Sequence, residues 1–123
     1  MCFALDENHH NVLIANKDIV CYKFLDVDGD RIVSPYRKFI YNFNETYSTY
    51  HSLKVINDNV HEGYHSYTKL KIVVRQACNR NIIVRCIIPK GSEYYINDYD
   101  EEYVSNNIII KEIVNPDEII CLY

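Results

Sequence analysis

The chain predicts a single α+β domain: a mostly antiparallel sheet of six or seven strands with one main helix over residues 68–79. Two observations carry this expectation. Leu70, Val73, Val74 and Ala77 recur at i, i+3, i+4 and i+7, the spacing of one buried helical face. Elsewhere the apolar residues fall in short β-branched and aromatic runs, the clearest being residues 82–88, bounded by Pro89, Lys90 and Gly91. Length agrees, since 123 residues at 48% hydrophobic fill one core of ordinary size.

The elements follow in order. Residues 1–11 have mixed polarity and no period, so they read as a flexible arm ahead of a domain over 12–123. Residues 19–25 form a nearly all-apolar run typical of a buried strand. Asp26, Val27, Asp28, Gly29 and Asp30 then supply Asp-Gly turn chemistry before residues 31–34, which makes a β-hairpin. The acidic turn is not a calcium loop, because Gly29 falls fourth from Asp26 and no Glu stands twelve positions along. Tyr, Phe and Thr in residues 39–50 suggest one or two short strands around 42–45, and Ile56, Asn57, Asp58 and Asn59 read as a polar turn. Ser66 or Thr68 is expected to cap the helix, since a hydroxyl there accepts from an orphan backbone N–H, and Asn79 or Asn81 to end it. Residues 82–88 read as a central strand. Residues 93–96, 103–104, 108–113 and 119–123 continue the strand pattern, with connections at 97–102 and 115–117.

Charge and cysteine usage exclude several classes. Thirteen Lys and Arg against seventeen Asp and Glu leave a net charge of −4, which argues against nucleic acid and anionic membranes as partners, since both demand clustered cations. Lys69, Lys71, Arg75, Arg80 and Arg85 read as a solvated face. The five cysteines, Cys2, Cys21, Cys78, Cys86 and Cys121, are odd in number and contain no C-x-x-C pair, so neither a complete disulfide framework nor a cysteine zinc site is encoded. Free thiols fit a reducing compartment. No signal core or membrane span is expected, which leaves the Asn44-Glu45-Thr46 sequon silent. Cys2 follows the initiator Met and becomes a terminal nucleophile if that Met is removed, but a thiol on an arm without an oxyanion loop reads as incidental. No cofactor is implied.

Three constellations carry chemical expectations. His61-Glu62-Gly63-Tyr64-His65 satisfies H-E-x-x-H and by its letters resembles the zincin metalloprotease signature, in which one helix face presents both histidines to a metal and the glutamate activates water. Glu93, Glu101 or Glu102 are the candidates for a third ligand. Turn formers precede the motif and Gly63 occupies its interior, so a turn entering a strand is the stronger expectation. Extended, His61 and His65 lie about 13 Å apart, too far to share an ion.

A second reading takes Cys21-Tyr22-Lys23, then Gly63-Tyr64-His65-Ser66-Tyr67, the helix, and the strand ending in Pro89-Lys90-Gly91-Ser92. This order resembles the core of ADP-ribosyltransferase-like proteins, which hold a nicotinamide nucleotide. The resemblance implies a nucleotide site at Lys23, His65 and Ser66, with Glu101, Glu102 or Glu112 in the place of the late glutamate.

The third feature is tyrosine, twelve in all with no tryptophan. Tyr94, Tyr95 and Tyr99 stand beside Asp98, Asp100, Glu101 and Glu102, an aromatic and acidic stretch suited to a basic protein surface, because tyrosine offers rigid contact area with a polar tip. Tyr22, Tyr36 and Tyr64 read as packing residues.

A wider resemblance rests on residues 17–23, 62–67, 87–95 and 105–113. These segments are similar to small proteins encoded by gut bacteriophages, and the resemblance implies an accessory protein made in the cytoplasm of a bacterial host. Together these readings predict a non-catalytic protein that binds and inhibits a host defence or nucleic-acid-handling protein through residues 94–102. A nucleotide-binding protein with an ADP-ribosyltransferase-like core, acting as an enzyme or as a sponge for a nucleotide signal, and a zinc hydrolase through His61, Glu62 and His65 are the alternatives. Homo-oligomers are expected to form through an Ile-rich edge at residues 108–110, where unpaired strand backbone recruits another chain.

Overall fold

The computed structural model describes residues 3–4, 11–35, 39–49, 51–57, 59–60, 62–77, 81–97 and 99–121. Among the described residues, thirteen strands and two helices follow one another: β1 (Phe3–Ala4), β2 (Leu13–Ile14), β3 (Ile19–Asp28), β4 (Arg31–Val33), β5 (Ile40–Tyr41), β6 (Thr46–Ser48), β7 (Val55–Ile56), β8 (Asn59–Val60), β9 (Tyr64–Tyr67), α1 (Leu70–Gln76), β10 (Asn81–Ile88), β11 (Glu93–Ile96), β12 (Glu102–Ser105), β13 (Asn107–Ile113) and α2 (Pro116–Ile120). Every strand pairing among the described residues is antiparallel. Eight strands run in the order β2-β11-β12-β9-β3-β10-β13-β6, with β4 and β5 attached beside β3, and β1-β8-β7 form a separate small sheet. The main sheet therefore has ten strands rather than six or seven. Several expected loops proved to contain two- or three-residue strands, too short to show a period.

Strands β3 and β10 form the spine, paired over eight residues from Asn81↔Asp26 to Ile88↔Ile19. Alternation along them sorts the side chains to two faces. Cys21, Leu25, Val84, Cys86 and Ile88 point inward, where Ala15, Tyr41, Ile108 and Ile110 join them and Tyr47, Tyr64, Tyr94 and Tyr103 pack around. Side chains from both ends of the strand order meet in this one cluster, so the sheet curls around it. The outer face presents Tyr22, Phe24 and Ile83 to Val73 and Leu70 of α1 and to Ile119 of α2. Phe24 and Tyr67 stack there with ring centroids 6.0 Å apart. Tyr95 and Val104 face a third cluster with Val60 and Leu53, under the small sheet.

A bulge in β13 opposite Arg85 and Cys86 shifts the register, so that Cys86 pairs with Ile110 while Arg85 pairs with Glu112. The inserted residue turns Glu112 to the outer face. There Arg85 pairs with Glu112 and, at 2.6 Å, with Glu118 of α2, while its guanidinium lies over the Tyr22 ring. Burial opposes the charge of Arg85, but Tyr22 and the two carboxylates outweigh it and hold the group protonated.

Residues 119–123 were expected to be extended. Instead, α2 covers 116–120, because Asn115 accepts from the Asp117 N–H while the Glu118 carboxylate accepts from the Asn115 N–H, with Pro116 in the first turn. This capping box outweighs the β propensity of Ile119 and Ile120. Asn115→Ala is expected to lower the unfolding free energy by about 1 kcal/mol, read as a drop in the urea midpoint at unchanged slope.

Helix α1 is shorter than the expected 68–79. Lys69 is its cap without a side-chain hydrogen bond, and Ala77 ends it. Neither hydroxyl caps it. Thr68 Oγ1 instead donates to the Asp100 carbonyl, and Ser66 lies in β9. Asn81 opens β10, and Asn79 lies outside the described residues. Two short strands, β5 and β6, lie within residues 39–50 as expected, while residues 42–45 themselves are the turn between them, with Asn44 at φ 61°. The β3–β4 hairpin is present as expected, turning on Gly29 at φ 65°. The isoleucines at 108 and 110 are no edge: both are fully buried, and β13 is flanked by β10 and β6.

Candidate functional site

The interior cluster is apolar except at one end, where Lys23 projects from the middle of β3. Its neighbours two residues along, Cys21 and Leu25, are fully buried because the same face of the strand carries them into the core. Lys23 opposes Val84 in register, and its ammonium donates to the His65 carbonyl of β9. The same ammonium stands 5.8 Å from the centroid of the Tyr41 ring, a cation–π contact. The residue is half-buried by surface area, while the protein packed around the ammonium disfavours its charge. Desolvation thus pulls the Lys23 pKa below the usual lysine range, against the smaller opposing pull of the Cys86 and Cys21 thiols.

Ser66 completes the cluster. It lies on β9 with Tyr64 on the inward side, is 2% exposed, and its Oγ is the one buried side-chain oxygen among the described residues with no hydrogen-bond partner. Its neighbour is the Cys21 sulfur. Cys21 and Cys86 are free, fully buried and directly opposed in register. The Cys86 thiol, more than burial resists, favours the thiolate of Cys21, with help from Ser66 and the Lys23 charge. Burial first, and then the presence of Cys21, pushes Cys86 the other way. Tyr41 stays firmly protonated, raised by burial and by the nearby Tyr64.

Two of the three nucleotide-site residues thus reach the interior as side chains, Lys23 and Ser66. His65 contributes only its carbonyl, because alternation along β9 turns its imidazole to the exposed outer side. The late glutamates are elsewhere. Glu112 pairs with Arg85 on the outer face. Glu102 accepts weakly from Asn97 Nδ2, and burial, then Glu101, raises its pKa. Glu101 donates its backbone N–H to Asn97 Oδ1.

The H-E-x-x-H letters do not form a helix. Gly63 has φ 135°, and residues 64–67 are the extended strand β9. His61 lies outside the described residues. Glu62 pairs with His51 at 2.7 Å, and the Glu93 carboxylate accepts from the Leu53 N–H and the Ser52 hydroxyl. Among the described residues no group of three or more His, Cys, Asp or Glu stands close enough to hold a metal ion.

The tyrosine and acidic stretch is divided by the hairpin that carries it. Tyr95 is 6% exposed under the small sheet, while Tyr94 faces the opposite way and packs edge-on against Tyr103 at 5.6 Å. Tyr99, at 80% exposure, and Asp100 stand in solvent; Glu101 and Glu102 are half-buried, and Asp98 lies outside the described residues. Cys2 also lies outside them. Asn97 Oδ1 accepts from the N–H groups of Glu101 and Glu102, which closes the hairpin and holds Tyr99 at its tip.

Sequence reasoning missed the Cys21 and Cys86 pair. Its signal was present, since two strands each carrying cysteine amid inward-facing residues bring the thiols together if paired antiparallel in this register. Register across 65 positions of sequence is what the pattern did not contain. No helix of the described residues is long and apolar enough to cross a membrane. No protein-family model, curated protein or solved structure matches the chain.

Proposed function

We propose that this protein acts by binding, and that it takes a small anionic ligand of the nucleotide class at Lys23 and Ser66. One observation carries the reading. The Lys23 ammonium sits at the end of the interior with a neutral carbonyl and a tyrosine face as its partners, and among the described residues no carboxylate pairs with it. A desolvated cation without a counter-charge is costly, and an anion recovers that cost on binding. The buried Ser66 hydroxyl, which lies beside the Cys21 sulfur, adds a donor on the same side of the sheet. Thermal unfolding with inorganic phosphate, AMP and NAD as probes tests it. The expected result is a midpoint that climbs with concentration, by roughly 10 °C at a hundredfold excess over Kd, for at least one probe. Lys23→Met removes the shift and the exposed-lysine control Lys111→Met keeps it. No shift with any probe, or an equal shift in Lys23→Met, overturns the reading.

A second reading, a bacteriophage accessory protein that blocks a host protein, is favoured by the exposure of Tyr99 beside Asp100 at the tip of the β11–β12 hairpin. Its origin rests on the sequence resemblance. It expects Tyr99→Ala to lose a bacterial protein that the wild type retains, while Lys23→Met keeps it; equal retention by Tyr99→Ala counts against it.

A further inference from the structure

We propose that Cys21 and Cys86 form a reversible dithiol–disulfide couple inside the folded protein, oxidised by a peroxide. This inference is independent of the anion site. The two residues oppose each other directly on β3 and β10, in an unbroken eight-residue antiparallel ladder, and both side chains point into the interior. Directly opposed residues on antiparallel strands have Cα atoms about 4.5 or 5.5 Å apart, depending on the type of pair, and both values fall within the separation a disulfide spans. The register thus sets the two backbones at a separation that a disulfide spans. Both thiols are free, and each lies close enough to alter the proton affinity of the other.

The neighbours favour an asymmetric reaction. The Cys21 thiolate is the easier of the two to form, chiefly because the Cys86 thiol across the ladder stabilises it, and a thiolate is the form that attacks. In the first step the Cys21 sulfur attacks one peroxide oxygen. An S–O bond forms, the O–O bond breaks, and the departing hydroxide takes up a proton as water, leaving a sulfenic acid. The Cys86 sulfur, giving up its proton, then attacks the Cys21 sulfur. The S–S bond forms, the S–O bond breaks, and a second water leaves. Two thiols have been oxidised by two electrons and one hydrogen peroxide reduced to two waters. Cys86, held opposite by the ladder, resolves the sulfenic acid before further oxidation.

The test uses the full wild-type chain under native conditions. Protein is exposed to hydrogen peroxide, the oxidant is destroyed, and the sample is unfolded, alkylated and mapped by mass spectrometry. The expected product has lost about 2 Da and two alkylatable thiols, contains a peptide joined through Cys21 and Cys86, and returns to the starting mass with dithiothreitol. Circular dichroism is unchanged, and the thermal midpoint of the oxidised form is higher, because the cross-link restricts the unfolded chain. Recovery of Cys21 and Cys86 as alkylated thiols while other cysteines oxidise overturns the proposal. So does their conversion to sulfinic acid, or a cross-link that appears only when the circular dichroism of the native fold has been lost.

Discussion

Gly63→Ala is expected to destabilise the protein by roughly 2–5 kcal/mol, a large part of the stability of a domain this size. Two terms add. At φ 135° an L side chain is strained whatever the space around it, which costs of the order of 1–3 kcal/mol. A methyl group there also meets Val104 Cγ2 at 2.7 Å, Leu53 Cδ2 at 2.9 Å and the Ser105 carbonyl oxygen at 3.1 Å. Val104 is fully buried and Ser105 offers backbone, so neither yields cheaply. Only Leu53 can give way, and the double variant Leu53→Ala, Gly63→Ala should therefore recover little. Urea unfolding of the single variant, with the midpoint compared at constant slope, measures the effect. The sign also separates two readings of the same five residues. Were residues 61–65 a metal-binding helix, alanine at position 63 would stabilise it by close to 1 kcal/mol. A variant as stable as the wild type would mean that β9 does not begin as described.

The sequence was readable where one element decides its own structure. Helix α1 appears because Leu70, Val73, Val74 and Ala77 present one apolar face, and the β3–β4 hairpin because Gly29 accepts a positive φ that other residues resist. It was misread where a local signal competed with propensity. Ile119, Ile120 and the residues after them look like a strand, yet Asn115 and Glu118 form a capping box three residues apart, a sequence signature of a helix start that was there to be weighed. It was silent where the answer depends on register. Nothing local to Tyr94 and Tyr95 says that one packs on Tyr103 and the other beneath Val60, because that follows from which strands lie on either side of β11. The same holds for the site. Lys23 and Ser66 were legible as residues of interest, but the turning of His65 to the outside, the meeting of Cys21 with Cys86 and the use of Glu93 as a clamp on residues 52–53 are consequences of pairing. The H-E-x-x-H letters show the reverse hazard. Their spacing carries meaning only on a helix, and Gly63 ahead of an alternating Tyr64-His65-Ser66-Tyr67 segment already argued for a strand.

Lys23→Met is expected to make the unliganded protein more stable by roughly 1–3 kcal/mol near neutral pH, while removing anion binding. Methionine keeps most of the volume and the unbranched shape of the lysine stem but removes a charge whose solvation by protein is one carbonyl and one ring, and replacing poorly compensated buried charge with apolar groups is commonly stabilising. The pH dependence of the difference between the two proteins is diagnostic. The folded-state pKa of Lys23 lies below the unfolded value of about 10.4, with desolvation as the main cause. Below the folded pKa both states of the wild type hold the proton, and the full cost of burying the charge is present. Between the folded and unfolded values the unfolded chain holds a proton that the native protein has released, so wild-type stability rises with pH through that window. The advantage of Lys23→Met must therefore shrink as pH climbs towards 10.4 and level off beyond it. Tyr41, whose pKa is raised by burial, weakens the native state above about pH 10, but it does so in both proteins and largely cancels in the difference. Urea midpoints of the pair measured from pH 7 to 10.5 decide the matter. A gap that widens with pH would place the ammonium against an unseen anionic partner, and would remove the physical basis for an anion site at Lys23.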